Sequence, residues 1–141
     1  MRPLPRPFLP MALLRAREAV NARHRPLLTA HDVTEQQWRV ICVLGESGPL
    51  DATELAQRCC ILKPSLTRII RALADRKLII KRKDAEDGRR LVLDATPKAY
   101  EMITSLMPEI HAVYDALELK FGKVRLGQLL IILEELSETG P

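Results

Sequence analysis

The sequence predicts one mainly α-helical domain carrying a small β-hairpin, and three observations lead there. Hydrophobic residues make up 47% of the 141 positions but aromatics only 4%, an aliphatic composition that packs helices better than a sandwich or barrel. Apolar residues recur at three- and four-residue spacing along several stretches, the period of a helix with one buried face. A single strand–turn–strand pattern interrupts them, with Leu78–Lys83 leading in, Asp84–Gly88 turning and Arg90–Asp94 returning. The length is one domain's worth, and short for an enzyme with two lobes.

Residues 1–8 hold three prolines and two arginines and are expected to form an extended arm. From about Pro10 to His31, Leu13, Leu14, Val20, Leu27 and Leu28 follow a helical period, with Pro26 expected to kink the helix or end it early. Thr34-Glu35-Gln36-Gln37 is a capping box. It opens a helix carrying Trp38, Val40, Ile41, Val43 and Leu44, which Gly45 or Gly48 ends. Pro49-Leu50-Asp51 is a short extended piece. Thr53 is expected to cap the next helix, with Leu55, Ala56 and Cys59 inward.

Lys63-Pro64-Ser65 opens a further helix, with Pro64 in the first turn, where its missing N–H costs nothing. Its stripe is Leu66, Ile69, Ile70 and Leu73. After the hairpin, Thr96-Pro97-Lys98 caps a long helix to about Leu119, with Pro108 as a kink, and a last helix runs from about Gly122 to Ser137. The first and last helices are too apolar for outward-facing elements, so they are expected to pair with a second copy of the chain.

Charge is unevenly spread. Thr53–Arg90 holds eleven Lys and Arg against five Asp and Glu, a balance of +6 in a chain whose total is +4, so the remainder sums to −2. Two short helices in tandem, the second rich in arginine, followed by a basic hairpin, make a surface suited to duplex DNA. On the Lys63–Arg76 helix, Lys63, Ser65, Thr67, Arg68 and Arg71 lie off the apolar stripe. Ser65 and Thr67 can reach phosphate or base edges near the helix N-terminus, and Arg68 or Arg71 could fork onto a guanine. The hairpin then acts as a wing, placing Arg89 and Arg90 near an adjacent minor groove with Asp87 to orient one guanidinium. Taken singly, each arginine is better read as part of a solvated face. Their arrangement in this order favours DNA.

These residues carry a resemblance. The hairpin Asp84-Ala85-Glu86-Asp87-Gly88-Arg89-Arg90 is similar to the Asp-x-Arg wing of MarR-family winged helix-turn-helix regulators. Ala12–Ala19 (ALLRAREA), Arg25-Pro26, Val33–Val40 (VTEQQWRV) and Cys60–Thr67 (CILKPSLT) resemble the regulators of homoprotocatechuate (4-hydroxyphenylacetate) degradation within it. The resemblance covers nearly the whole chain. It implies a single domain over 1–141, with a winged helix-turn-helix at 34–94 and dimerisation helices at 1–31 and 96–141. It also implies a homodimer that represses an aromatic-acid catabolic operon from a pseudo-palindromic operator and leaves it when a small aromatic carboxylate binds.

A site for such an effector must hold a carboxylate and a phenolic ring, and so wants a cation beside apolar walls. Arg17 on the first helix is the leading candidate, followed by Arg39, with Trp38 to stack on a ring and His24 to bond a phenol. A salt bridge to a nearby acid is almost as good a reading of Arg17, and core packing is the better reading of Trp38. The resemblance favours Arg17, Trp38 and Arg39 over His24, where the chain departs from a more usual apolar or aromatic residue.

Cys42, Cys59 and Cys60 form no paired framework, which suggests a reducing compartment. Thiol-oxidation sensing is an alternative within the same fold, with Cys60 beside Lys63 as its candidate and Cys42 as core. A protein-interaction module is the other alternative. Histidines and cysteines lack metal-ligand spacing, and neither a nucleophile elbow nor a phosphate loop occurs, so no cofactor, metal site or catalytic residue is expected. Prolines and arginines break the apolar N-terminus, no stretch has membrane-spanning length, and the expected location is cytoplasmic.

Overall fold

The computed structural model describes residues 8–141; the expected arm falls almost wholly outside them. Six helices and one hairpin follow in order: α1 Leu9–Ala30, α2 Glu35–Ser47, α3 Ala52–Cys59, α4 Lys63–Asp75, β1 Ile79–Lys83, β2 Leu91–Ala95, α5 Pro97–Phe121 and α6 Lys123–Ser137. The chain divides into two compact units, residues 1–106 and 107–141.

Within the first unit, local chemistry fixes most helix ends. Thr34 Oγ1 accepts from the Gln37 amide while Gln37 Oε1 accepts from the Thr34 amide, both at 3.1 Å, so the capping box opens α2. Gly48 at φ +81° ends it, and Gly45 sits inside the helix. The cap of α3 is Asp51, not Thr53: Asp51 Oδ1 accepts from the Glu54 amide at 2.8 Å. The carboxylate lies three residues before that amide, the distance a capping acceptor spans, whereas Thr53 falls within the first turn. Thr96 caps α5 through the Ala99 amide at 3.2 Å. Pro26 does not end α1 early, because the helix runs on to Ala30; Pro108 likewise lies inside α5.

The core of this unit is the winged helix-turn-helix. Val40, Ile41 and Leu44 of α2, Leu55 and Cys59 of α3, Leu66, Ile69 and Leu73 of α4, and Leu78, Ile79 and Leu93 of the hairpin close into one cluster. β1 and β2 pair antiparallel, Ile79 opposite Ala95 and Lys83 opposite Leu91. Leu50 adds a third, minimal strand: it exchanges backbone hydrogen bonds of 3.1 and 2.7 Å with Leu93, as the extended reading of Pro49–Asp51 predicts. The bridge ties the hairpin to the start of α3.

α1 buries only Leu28. Leu9, Met11, Leu13, Leu14 and Val20 are exposed along it. In the second unit α6 buries only Leu126 and exposes Val124, Leu130, Ile131, Ile132 and Leu136. No described helix is long and apolar enough to cross a membrane.

Candidate nucleic-acid interface

α3, a three-residue turn and α4 form the helix-turn-helix. The turn is set by Cys60, which sits in the left-handed region at φ 53° and ends α3. Leu66, Ile69 and Leu73 seat α4 on the core, which leaves Lys63, Thr67, Arg68 and Arg71 exposed and Ser65 half-buried. Thr67 Oγ1 donates back to the Lys63 carbonyl at 3.0 Å, leaving its oxygen free to accept. Arg68 reaches no closer than 3.5 Å to Ser65 Oγ, and neither Arg68 nor Arg71 pairs with a carboxylate among the described residues. No side chain caps the N-terminus of α4, so its first-turn amides keep the donors that anions take at such positions.

The hairpin tip departs from expectation in two ways. Asp87 orients no guanidinium: its Oδ1 accepts from the Arg89 amide at 3.1 Å and its carbonyl from the Arg90 amide at 3.0 Å, so it shapes the turn. A short side chain two residues before an amide closes an Asx-type turn more readily than it reaches a long neighbour's end. Arg90 does not project from the tip; it folds back onto Asp51 at 2.9 Å, with Glu54 and Asp84 also in range. Asp51 is held below the ordinary carboxylate value, first by the Glu54 amide and then by Arg90. Arg89 is exposed, with no carboxylate partner among the described residues.

Of the residues expected at an effector site, Arg17 and Arg39 meet at Glu35. Arg39 binds both Glu35 oxygens, at 3.0 and 2.7 Å, and donates to the Cys59 carbonyl at 2.7 Å. The Glu35 hydrogen bond raises the Arg39 guanidinium above its usual value, so it stays charged and already satisfied. Arg17 reaches the same Glu35 from α1 at 3.2 Å, the salt-bridge reading. Trp38 is partly buried and packs against the core. His24 is not brought to the others; its Nδ1 lies 3.1 Å from the Val20 carbonyl on its own helix. A concavity of about 260 Å³ lies beside Glu35, lined by Asn21, Arg25, Leu28, Thr29, Val33 and Thr34. Asn21 and Arg25 line it one helical turn apart on α1; the sequence marks Arg25 only through the Arg25-Pro26 resemblance and Asn21 not at all.

The thiols differ. Burial pushes Cys42 up to about 12 and Cys59 upward as well, which leaves both as unreactive thiols at neutral pH. Cys60 is exposed.

A helix-turn-helix with an outward basic face, flanked by a two-stranded wing, defines the winged-helix class of DNA-binding regulators. Comparison with known proteins agrees. The MarR family pattern matches residues 33–91. The chain is 37% identical over 128 residues to the transcriptional regulator FarR of Neisseria gonorrhoeae, covering 91% of this chain and 88% of FarR. It is 36% identical over 132 residues to the homoprotocatechuate degradative operon repressor of Escherichia coli, covering 94% and 89%. Among solved structures, NadR in complex with 4-hydroxyphenylacetate superposes with a TM-score of 0.87 at 34% identity, covering 99% of this chain and all of that one. The chain belongs to the MarR family of transcriptional regulators.

Proposed function

We propose that this protein is a homodimeric repressor of an aromatic-acid catabolic operon, released from its operator by a small phenolic acid. The observation that carries the reading is the row Lys63, Thr67, Arg68 and Arg71, exposed along one face of a well-seated α4, with Arg89 exposed on the wing. In this reading α4 enters the major groove. Arg68 or Arg71 meets a guanine edge, Lys63, Ser65 and Thr67 hold phosphate, and Arg89 enters the neighbouring minor groove. The domain layout follows, with residues 34–94 binding DNA and 1–31 and 96–141 joining two copies. The apolar faces of α1 and α6 support the pairing. A dimer presents its recognition helices about 34 Å apart, one turn of DNA, to a pseudo-palindrome.

The effector reading rests on similarity to a homoprotocatechuate operon repressor and to a protein that binds 4-hydroxyphenylacetate. It is supported by Arg17, the less tightly held of the two guanidinium groups on Glu35. An aromatic carboxylate can exchange for Glu35 there, one anion for another. It shifts the operator equilibrium only as far as it prefers the released arrangement.

The test is fluorescence anisotropy on the intergenic duplex beside the protein's own gene, with and without 3,4-dihydroxyphenylacetate. Salt-sensitive binding that the compound reverses is expected. Arg68→Ala should weaken binding with the dimer intact, and Arg17→Ala should leave binding but blunt release. Full binding by Arg68→Ala would move the DNA face elsewhere.

A further inference from the structure

Arg89 and Arg90 are neighbours in sequence but not in circumstance. Arg90 donates from Nε and a terminal nitrogen to Asp51 Oδ2, at 3.2 and 2.9 Å. Glu54 Oε2 lies 3.6 Å from that terminal nitrogen and Asp84 Oδ2 3.5 Å from the other. Asp51 and Glu54 belong to the start of α3, while Asp84 and Arg90 sit on the two arms of the hairpin. The Asp84 amide donates to the Arg90 carbonyl at 2.8 Å, so both arms are locked together where the guanidinium leaves for α3. The tip's other hydrogen bonds close within the tip: the Glu86 amide on Asp84 Oδ1, and the Arg89 and Arg90 amides on Asp87. One side chain therefore links the tip of the wing to the helix-turn-helix.

We propose that Arg90 is a positioning residue, a strap that sets the angle of the wing against α3 so that Arg89 meets the minor groove, and that Arg90 itself does not touch DNA. The inference rests on the DNA-binding reading above. A guanidinium shared among three carboxylates has little left to offer phosphate, and the acids that hold it sit on a face that must approach a polyanion. If they did nothing there, removing one would help binding.

Asp51→Asn keeps an acceptor for the Glu54 amide and releases Arg90. Asp84→Asn leaves Arg90 on Asp51 but frees the guanidinium's other terminal nitrogen from the opposite arm of the hairpin, loosening the strap at that end; it leaves α3 untouched and keeps an acceptor for the Glu86 amide. Each removes a negative charge near DNA, so electrostatics alone has both full-length variants binding the intergenic duplex more tightly. The strap has both binding more weakly, by about three- to tenfold. It also has Arg89→Ala costing less on an Asp51→Asn background than in the wild type, because a mis-set wing has already lost that contact. Tighter or unchanged binding by Asp84→Asn overturns the strap, and so does an undiminished Arg89→Ala loss on that background. If Asp51→Asn upsets α3, Asp84→Asn decides in its place, alone and combined with Arg89→Ala. Arg89→Ala in the wild type keeps the two readings apart. If it is harmless, the placement of the wing on DNA has failed and the strap falls with it; if it is harmful while both Asn variants bind normally, the strap alone has failed.

Discussion

Between Val33 and Ala99 most apolar side chains close on one another, with Leu44, Leu55 and Leu73 wholly enclosed and only Leu62, Ile80 and Leu91 left as large exposed ones. α1 and α6 do the opposite: each buries a single leucine and leaves a row of aliphatic residues in water. The two regions have similar building blocks but different accounts with solvent. The first satisfies most of its hydrophobic demand internally. The second exposes large aliphatic groups, each worth about 1.5–3 kcal/mol when buried, and that stabilisation is collected only when something covers them. A module that recognises DNA is thus separable in energy from the surfaces proposed to join two copies.

That contrast can be broken most forcefully at the core. Leu73→Ala should cost about 2–5 kcal/mol through the cavity it leaves, read as a fall in the thermal midpoint; an unchanged midpoint would mean the cluster is not what holds the module. Next, Ile131→Glu with Ile132→Glu should leave helical content intact while weakening self-association about a hundredfold, some 3 kcal/mol. Sedimentation checks this, and an undisturbed dimer would place the interface elsewhere. A smaller effect, about 1 kcal/mol in urea unfolding after solvent screening, is expected for Arg39→Gln, which strips the clamp from Glu35 and the Cys59 carbonyl; no measurable loss would make that clamp idle. The least is expected at Asp51. Its folded carboxyl titrates below the ordinary 3.8, so its contribution is present in full above that value and lost as pH falls through the folded one. Thermal melts from about pH 5 to about pH 3 should therefore decline less steeply for Asp51→Asn than for the wild type; parallel declines would show that the pairing adds nothing.

What could be read from the sequence divides along the range of the interactions. The capping box at Thr34, the proline-led start of α4 and the stripe Leu66–Ile69–Leu73 are set by residues within one or two turns, and the structure repeats them. The hairpin was visible for the same reason. The choice of partner by a long charged side chain was not. Arg90 looks like Arg89 in sequence, and only the return of the hairpin beside Asp51, 39 positions earlier, tells them apart. In the sequence Arg17 and Arg39 are separate candidate cations for a ligand, with a salt bridge an almost equal reading of Arg17; folding gives both to Glu35, which the sequence shows only as part of a cap. Thr53 and Asp51 are both residue types that favour a cap, and only the acceptor's distance from the Glu54 amide selects Asp51.

Asp51 also limits how this protein can be rebuilt. One of its oxygens starts α3 and the other holds Arg90, so a single side chain serves two neighbouring modules. Serine, threonine or asparagine would begin the helix about as well, but none brings the charge. Transplanting the hairpin from this chain into a relative, or a relative's hairpin into this chain, therefore amounts to exchanging a pair. Moved without its carboxylate at the head of α3, the hairpin arrives with an arginine that has nowhere to go.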